Sequence, residues 1–141
     1  MPRFETRLDA GLAVLRIITG TVFLAHGAQK LFLMGLGGVS GGFASLGVPI
    51  PAITGPLVSM LEFFGGIALI LGLLTRLVAI GTAIEMLGAI FLVHLAGGFF
   101  VPKGVEFPLM LCAASVSLAL TGAGAYSLDA ALARRRNPLV A

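Results

Sequence analysis

The sequence predicts an all-α membrane protein, a four-transmembrane-helix bundle. Three observations lead to this prediction: hydrophobic residues make up 58% of the 141-residue chain, charged residues make up only 11%, and the apolar residues fall into four long runs. A soluble domain carries about 25% charged residues, so this chain has too few to cover a water-exposed surface. We therefore interpret residues 1–141 as a single membrane domain.

Four apolar runs are long enough to cross the hydrocarbon core, which takes about 20 residues as a helix. They lie at about residues 10–34, 52–74, 76–97 and 107–125. Only Thr75 and Arg76 separate the second run from the third. We therefore expect these two helices to form a tight antiparallel hairpin. Small residues such as Gly65 and Gly66 favour close approach of membrane helices.

The segment from Met34 to Pro56 differs from the four runs. It is rich in glycine and proline and contains no charged residue. This composition predicts a compact apolar loop at the outer membrane surface between helices 1 and 2, with one short helical turn near residues 43–46. A plain solvated connection is the alternative, although the lack of polar residues argues against it. Irregular backbone at membrane depth must be covered by protein or line a cavity.

The basic residues predict the orientation of the chain. Arg3 and Arg7 precede the first run, Arg76 lies in the second connection, and Arg134–Arg136 follow the fourth run. With four spans, all of these fall on one side. The positive-inside rule then places both termini in the cytoplasm. The membrane itself is predicted to be a bacterial-type inner (plasma) membrane.

Residues 126–141 predict a short cytoplasmic interfacial helix followed by a basic tail. Ser127 can cap this helix, and Asp129 in its first turn is favourably placed for the helix dipole. The arginine triplet would contact anionic head groups. A disordered basic tail from Arg134 onward is the alternative.

Ionisable residues within or beside the apolar runs are the candidate functional residues. Such a side chain is costly in lipid unless it is paired, lines a polar cavity or reaches the surface. In sequence order they are Arg16, His26, Lys30, Glu62, Glu85, His94 and Glu106. The helical rise of about 1.5 Å per residue places all except Arg16 and Glu85 in the outer half of the membrane. Because four helices contribute the five outer residues, we predict that they converge on one ligand-binding pocket.

Glu62 is the candidate catalytic residue, with a role in proton exchange. It lies roughly 15 Å below the outer end of its helix, near mid-membrane. A carboxyl group at this depth is either paired or protonated. We predict that Glu62 points into the bundle and contacts His26 or Lys30, directly or through water.

Arg16 and Glu85 belong to the inner half, and we predict that they form a structural ion pair, since two isolated charges in hydrocarbon would cost more. Each ionisable residue also has a structural alternative. Glu62 could belong to a purely structural pair, Lys30 could extend to the surface, and His94 could be a hydrogen-bonded surface residue.

The chain contains few motifs for metal or redox chemistry. A single cysteine, Cys112, excludes an intramolecular disulfide and a CxxC redox pair, and it is expected to be a buried packing residue. There is no HExxH, no phosphate-binding glycine loop and no nucleophile elbow. Haem ligation by His26 and His94 would need two histidines at matching depth. We therefore predict no metal site and no intrinsic cofactor.

Short segments spread over about residues 10–130 form an ordered succession. They are Arg16–Gly20, His26–Phe32, Phe43–Pro51, Glu62–Gly66, Leu71–Arg76, His94–Phe100, Glu106–Leu109 and Ser127–Asp129. In this order they resemble the DoxX-like family of four-helix integral membrane proteins. Members of that family are associated with quinone-linked thiosulfate oxidation and with membrane oxidoreductase complexes that handle oxidative and thiol stress.

The resemblance implies a subunit associated with quinone-linked oxidoreductase activity, with a quinone or a similar small polar ring in the outer pocket. His26 and Lys30 would donate hydrogen bonds to the ring oxygens, and Glu62 would exchange protons. Phe32, Phe63 and Phe64 would line the apolar wall. Because the sequence has no flavin or iron–sulfur motif, the electrons would come from a membrane or peripheral redox partner.

Two other hypotheses remain. The first is a non-catalytic accessory or assembly subunit, whose small-residue faces dock a larger membrane complex or a second copy, and whose polar residues are structural pairs. The second is a small transporter, which the absence of a detectable inverted repeat argues against. A cavity of ligand size around Glu62 would favour the quinone hypothesis, and dry salt bridges would favour the accessory one. Nothing in the sequence suggests a nucleic-acid partner.

Overall fold

The computed structural model describes residues 2–136, and that part of the chain is helical and contains no strand. Six α-helices follow one another, and α1 and α4 each continue into a π-helical segment. The elements are α1 (Pro2–Ala28) with its π segment (Gln29–Met34), α2 (Gly35–Ser45), α3 (Pro51–Leu71), α4 (Thr75–Ala89) with its π segment (Ile90–His94) and a 3-10 turn (Leu95–Gly97), α5 (Glu106–Thr121) and α6 (Leu128–Arg136).

Three helical stretches are long and apolar enough to cross a membrane: Phe4–Ser45, Pro51–Leu71 and Thr75–Gly97. The fourth apolar helix, α5, has 16 residues. Its length is therefore about 24 Å, less than the roughly 30 Å of the hydrocarbon core. These helices make the chain an all-helical membrane domain, as predicted.

The predicted loop between the first two spans is wrong, because residues 35–45 form helix α2. At Gly35 (φ 71°) the chain leaves the direction of α1, in a conformation that glycine adopts at little cost. Helix α2 then packs against α3, where Val39 is buried and Gly55 lies close to Ser40. A glycine-rich segment is a poor helix former, but tertiary packing overrides propensity. Only residues 46–50 connect α2 to α3.

Helices α1 and α3 are in direct backbone contact through glycine residues. A Cβ atom on Gly66 would lie 2.7 Å from the carbonyl oxygen of Gly20. A Cβ atom on Gly27 would overlap the backbone of Glu62 and Phe63. Gly20 and Gly27 are two turns apart and share one face of α1. This contact places the Glu62 segment of α3 directly against α1.

Helices α4 and α5 form a second closely packed pair. Thr82 Oγ1 donates a hydrogen bond of 3.0 Å to Ser115 Oγ, and both residues are fully buried. Cys112 is buried in the same interface, with its Sγ 3.8 Å from the carbonyl oxygen of Ala83. Cys112 is thus a packing residue, as expected. The connection between α3 and α4 is three residues long and joins the two helix pairs.

Helix α6 lies against the connection between α3 and α4, and we call this end of the bundle the α6 end. The carboxylate of Asp129 accepts hydrogen bonds from the backbone N–H groups of Leu74 (2.8 Å) and Thr75 (3.0 Å). The first N–H groups of a helix lack partners within it. Asp129 therefore caps α4, in addition to lying in the first turn of its own helix.

Ser127 caps α6 as predicted, because its Oγ accepts a hydrogen bond of 3.1 Å from the backbone N–H of Ala130. Arg134–Arg136 form the last turn of this helix and are exposed. The predicted helix at the start of residues 126–141 is therefore present. Residues 137–141 of the predicted tail lie outside the described range.

We expect the substitution Gly27→Ala to destabilise the protein by about 1–3 kcal/mol, because the added methyl group forces α1 and α3 apart. Gly11→Ala is the matched control, since a Cβ atom at Gly11 of the same helix meets no atom within 4 Å. Thermal unfolding in detergent, followed by circular dichroism, measures both variants. Equal midpoints for Gly27→Ala and the unsubstituted protein would contradict the glycine contact.

Candidate functional site

A cavity of about 510 Å³ lies between the α1/α3 pair and the α4/α5 pair. Residues of α2 and of the segment between α4 and α5 also line it. Its wall is mainly apolar and includes Phe23, Phe43, Met86, Phe107 and Leu111. The ionisable residues in the wall are His26, Lys30, Glu62, Glu85 and His94. Small-molecule sites are commonly concave and apolar with a few polar groups, at about 300–1,000 Å³.

Four of the five residues predicted to converge do line this cavity, and Glu106 does not. The Glu106 Oε1 instead accepts a hydrogen bond of 2.5 Å from the backbone N–H of Val101. The carboxylate is used to hold the turn that leads into α5. Estimated depth placed Glu106 in the outer half of the membrane, but depth does not specify which way a side chain at a helix start turns.

Glu62 and Lys30 form an ion pair on the cavity wall. Lys30 Nζ lies 2.5 Å from Glu62 Oε2, and the side chains are 18% and 5% exposed, respectively. The predicted contact between Glu62 and one of its basic neighbours is therefore present. Among the side chains of residues 4–136, this is the one salt bridge that the structure contains. The close contact at Gly27 brings the two helices near enough for it to form.

The structure does not form the predicted ion pair between Arg16 and Glu85. Glu85 lines the same cavity as Glu62 and Lys30. Its Oε2 is buried and has no hydrogen-bond partner. Glu85 thus lines the cavity with His26, Lys30, Glu62 and His94, although it was not among the predicted pocket residues. The position of Glu85 along its helix predicted its depth in the membrane, but not the side of the helix on which its side chain lies.

Arg16 instead holds the α6 end together. Its Nη1 donates to the carbonyl oxygen of Ala123 (3.1 Å), and its Nη2 donates to that of Tyr126 (2.8 Å). The side chain is 2% exposed, and a Cβ atom on Gly72 would overlap the guanidinium group. Asp9 adds a second link, since its Oδ1 accepts a 2.9 Å bond from the backbone N–H of Ala125. Arg16 is therefore a structural residue that needs no carboxylate partner.

The two histidines in the wall are oriented by backbone carbonyl groups. His26 Nδ1 lies 2.9 Å from the carbonyl oxygen of Val22, and His94 Nδ1 lies 3.0 Å from that of Lys103. A carbonyl oxygen only accepts hydrogen bonds, so each Nδ1 carries the proton in these contacts. The Nε2 atoms are the ring nitrogens left free, and in a neutral ring this atom is an acceptor.

The predicted aromatic wall of Phe32, Phe63 and Phe64 is wrong. These rings pack edge to face with one another, with centroid distances of 5.4 Å (Phe32 to Phe63) and 5.1 Å (Phe63 to Phe64). They are not part of the cavity lining, and Phe32 and Phe64 are 71% and 58% exposed. The aromatic residues that do line the cavity are Phe23, Phe43 and Phe107.

Both π-helical segments contribute to the cavity. Lys30 lies in the segment Gln29–Met34, and His94 ends the segment Ile90–His94. A π-helix holds more residues per turn than an α-helix and so rotates the side chains that follow, and such segments are frequent at functional sites. No pattern in the sequence marks either segment. Within residues 2–136, no group of three or more metal-binding side chains comes together.

The DoxX family model matches residues 11–95 of the chain. The chain belongs to the DoxX family. Among its DoxX relatives, "Putative oxidoreductase CatD" of Bacillus subtilis is 35% identical over 121 residues, which cover 86% of each protein. "Inner membrane protein YqjF" of Escherichia coli is 36% identical over 132 residues, or 90% of this chain and 95% of YqjF.

A third relative, an "Uncharacterized protein" of Haemophilus influenzae, is 36% identical over 122 residues, or 84% of this chain and 87% of the relative. No solved structure matches the chain. The relatives align along most of their length, so the DoxX assignment applies to the whole domain. The predicted resemblance to the DoxX family is thereby confirmed, and the chain is a membrane protein whose relatives include a bacterial inner membrane protein.

Because Arg16 and Glu85 lie in separate networks, we expect their substitutions to act independently. Arg16→Lys should lose one of the two hydrogen bonds that the planar guanidinium group donates. We expect it to lower the free energy of unfolding by about 1–3 kcal/mol. The cost of the double variant Arg16→Lys, Glu85→Gln should equal the sum of the single costs within about 0.5 kcal/mol. Denaturant titrations in mixed micelles measure these free energies of unfolding. A coupling energy well above about 0.5 kcal/mol would show that Arg16 and Glu85 interact, as an ion pair between them requires.

Proposed function

We propose that the protein is a membrane subunit associated with a quinone-linked oxidoreductase, and that the cavity holds a quinone head group. The observation that carries this proposal is the location of the Lys30–Glu62 pair on the wall of a cavity of about 510 Å³. A purely structural pair needs no cavity beside it. The name of the Bacillus subtilis relative, an oxidoreductase, supports the same class of activity.

In this proposal Glu62 exchanges protons with the bound ring. Reduction of a quinone to a hydroquinone consumes two electrons and two protons. The electrons come from a partner protein that carries a flavin or an iron–sulfur group, since cofactors of this kind supply one- and two-electron chemistry. Glu62 passes one proton at a time to a ring oxygen and is reprotonated from solvent, as a general acid–base group. Lys30 balances the charge of the carboxylate between transfers.

We also propose that α5 is the fourth span and that both termini lie in the cytoplasm. Residues 122–125 extend α5 toward the α6 end and cover part of the thickness that the helix itself does not reach. Basic residues collect at the α6 end, where Arg76 and Arg134–Arg136 lie. Such an excess of arginine is typical of the cytoplasmic side. The cavity then opens in the outer half of the membrane.

The second candidate function is that of a non-catalytic accessory subunit. The observation in its favour is the Lys30–Glu62 contact itself, because a lysine and a glutamate that satisfy each other can serve structure alone. Exposed apolar residues such as Leu120 would then contact a larger complex as well as lipid. The two candidates differ in what they require of the Glu62 proton.

Glu62→Gln tests the proton-exchange role, because glutamine keeps the shape of the side chain and loses its exchangeable carboxyl proton. We expect quinone reduction by the purified complex to fall by 100-fold or more, within the range of about 10²–10⁴ typical of general acid–base groups. The folded fraction should be retained. Glu106→Gln is the matched control, since its amide oxygen can still accept the hydrogen bond from Val101.

The outcome separates the two candidates. If the protein is an accessory subunit, Glu62→Gln lowers the thermal stability or the yield of the complex and leaves the rate per complex unchanged. Loss of one partner of a buried pair strands the other, which explains such a cost. Full quinone reductase activity with glutamine at position 62 would eliminate the proton-exchange role.

Reporter fusions test the proposed orientation. A reporter enzyme that works only in the cytoplasm should be active when it is fused after Arg136. A reporter enzyme that works only outside the cytoplasm should be active when it is inserted at residues 46–50. The reason is the arginine excess at the α6 end, which the insertion machinery keeps in the cytoplasm. A C-terminal reporter that is active outside the cytoplasm would refute the orientation.

A further inference from the structure

We infer that the α6 end of the bundle binds the head group of an anionic phospholipid, in a cleft separate from the cavity described above. The cleft has a volume of about 500 Å³ and lies between the start of α4, the end of α5 and the start of α6. It shares no lining residue with the cavity that contains Lys30 and Glu62. The inference is therefore independent of the proposed quinone function. The polar side chains that line the cleft are Thr75, Arg76, Thr121, Ser127 and Asp129.

The cleft lies where two membrane-crossing helices reach the surface of the bilayer. Helices α3 and α4 belong to two stretches that are long and apolar enough to span, and only three residues connect them. Their connection therefore lies at the membrane surface, and Leu74 of this connection lines the cleft. Leu74 and Leu77 are 58% and 66% exposed, so the cleft has an apolar rim that continues along α4. A ligand with acyl chains can use this rim, whereas a free phosphate ion cannot.

Arg76 supplies a cationic group that the protein leaves without a partner. Its side chain is exposed, and within residues 4–136 it takes part in no salt bridge and no hydrogen bond. The guanidinium group nevertheless has a defined place at the end of α5, because a Cβ atom on Gly122 would lie 3.1 Å from its Nε. Gly122 has a φ of 84°, which glycine adopts at little cost. The planar guanidinium fork fits two oxygen atoms of a phosphate group.

The negative charge of Asp129 in the cleft is already balanced within the protein. Its carboxylate accepts hydrogen bonds from two N–H groups at the start of α4. Buried Arg16 lies close by, because its guanidinium group packs against Gly72, and the carbonyl oxygen of Gly72 accepts a hydrogen bond of 2.9 Å from the backbone N–H of Asp129. The charges of Arg16 and Asp129 therefore offset each other. Arg76 remains as an uncompensated positive charge on the cleft wall.

Helix α6 brings a second arginine to the same side of the bundle. Ala130 lines the cleft, and Arg134 follows it by one turn on the same face of the helix. Side chains on a helix lean toward its N-terminus, so Arg134 extends back toward the cleft. Arg135 is rotated by roughly 100° from Arg134 and lies on another face. Two arginine residues beside an open cleft at the membrane surface match the basic pockets that hold anionic lipid head groups.

The experiment titrates lipids into the full-length protein after purification in a neutral detergent and removal of bound lipid. The probes are phosphatidylglycerol, phosphatidylethanolamine and phosphatidylcholine with identical acyl chains, and native mass spectrometry measures the dissociation constant of the first bound lipid. Phosphatidylglycerol should bind at least about tenfold more tightly than either zwitterionic lipid, because only its head group carries a net negative charge to the arginine residues. Phosphatidylglycerol should also raise the midpoint of thermal unfolding, and millimolar inorganic phosphate should not.

Two variants with the same change of charge identify the site. Arg76→Gln should weaken phosphatidylglycerol binding at least about tenfold, since it removes hydrogen bonds from a charged donor to the phosphate. Arg135→Gln is the matched control, because it removes one positive charge from the same end of the bundle but from a face of α6 that does not line the cleft. It should weaken binding by no more than about threefold, the effect of a screened surface charge. Size-exclusion chromatography checks that both variants are folded.

The possible results are distinct. Equal affinity for the three lipids, or tighter binding of a zwitterionic one, would overturn the inference. Equal losses for Arg76→Gln and Arg135→Gln would also overturn it, because they would show a general attraction to the basic end of the bundle instead of a site in the cleft. Inorganic phosphate that stabilises the protein as much as phosphatidylglycerol does would overturn the assignment to a lipid. If Arg76→Gln does not fold, the comparison of the lipids with the unsubstituted protein decides.

Discussion

The backbone contact between α1 and α3 is the constraint on which the rest of the structure depends. Lipid tails are as apolar as leucine side chains, so membrane helices associate through close packing rather than through the hydrophobic effect. Gly20, Gly27 and Gly66 provide that packing, since none of them leaves room for a Cβ atom. The contact sets the distance from α1 to the Glu62 segment, and so it allows Lys30 to reach across. The ion pair and the cavity wall both follow from it.

Charged groups inside the bundle are satisfied in two different ways. At the α6 end, Arg16 is surrounded by backbone carbonyl groups of residues 123–126 and by the glycine at position 72. The two Nη atoms of Arg16 hold this cluster together, while its buried Nε has no hydrogen-bond partner. Beside the cavity, Lys30 and Glu62 neutralise each other, but Glu85 keeps a carboxyl oxygen without a partner. Buried groups that lack a partner in the protein are where a ligand gains most. Lys30, Glu62 and Glu85 therefore share one cavity wall, and Arg16 is not part of it.

The sequence was sufficient for the elements whose cause is local. Long apolar runs predicted the helices, and the cost of a charge in lipid predicted that Glu62 would find a basic partner. Helix α2 was missed because its stability comes from packing on α3 and not from its own glycine-rich residues. The partners of Arg16 and Glu106 were missed because they are backbone groups, which have no signature in the sequence. Glu85 was assigned to the wrong network since spacing along a helix gives depth more reliably than direction.

The cap that Asp129 places on α4 has a consequence for the order in which the protein is made. Asp129 follows Thr75 by 54 residues, so the N–H groups at the start of α4 have no side-chain partner while the ribosome completes α4, α5 and the turn after it. Helices α3 and α4 can enter the membrane as a hairpin during that time. The connection between them becomes fixed only when one of the last segments of the chain emerges and folds back. A truncation before Asp129 would therefore remove the cap at the start of α4, in the middle of the chain, as well as helix α6 at its end.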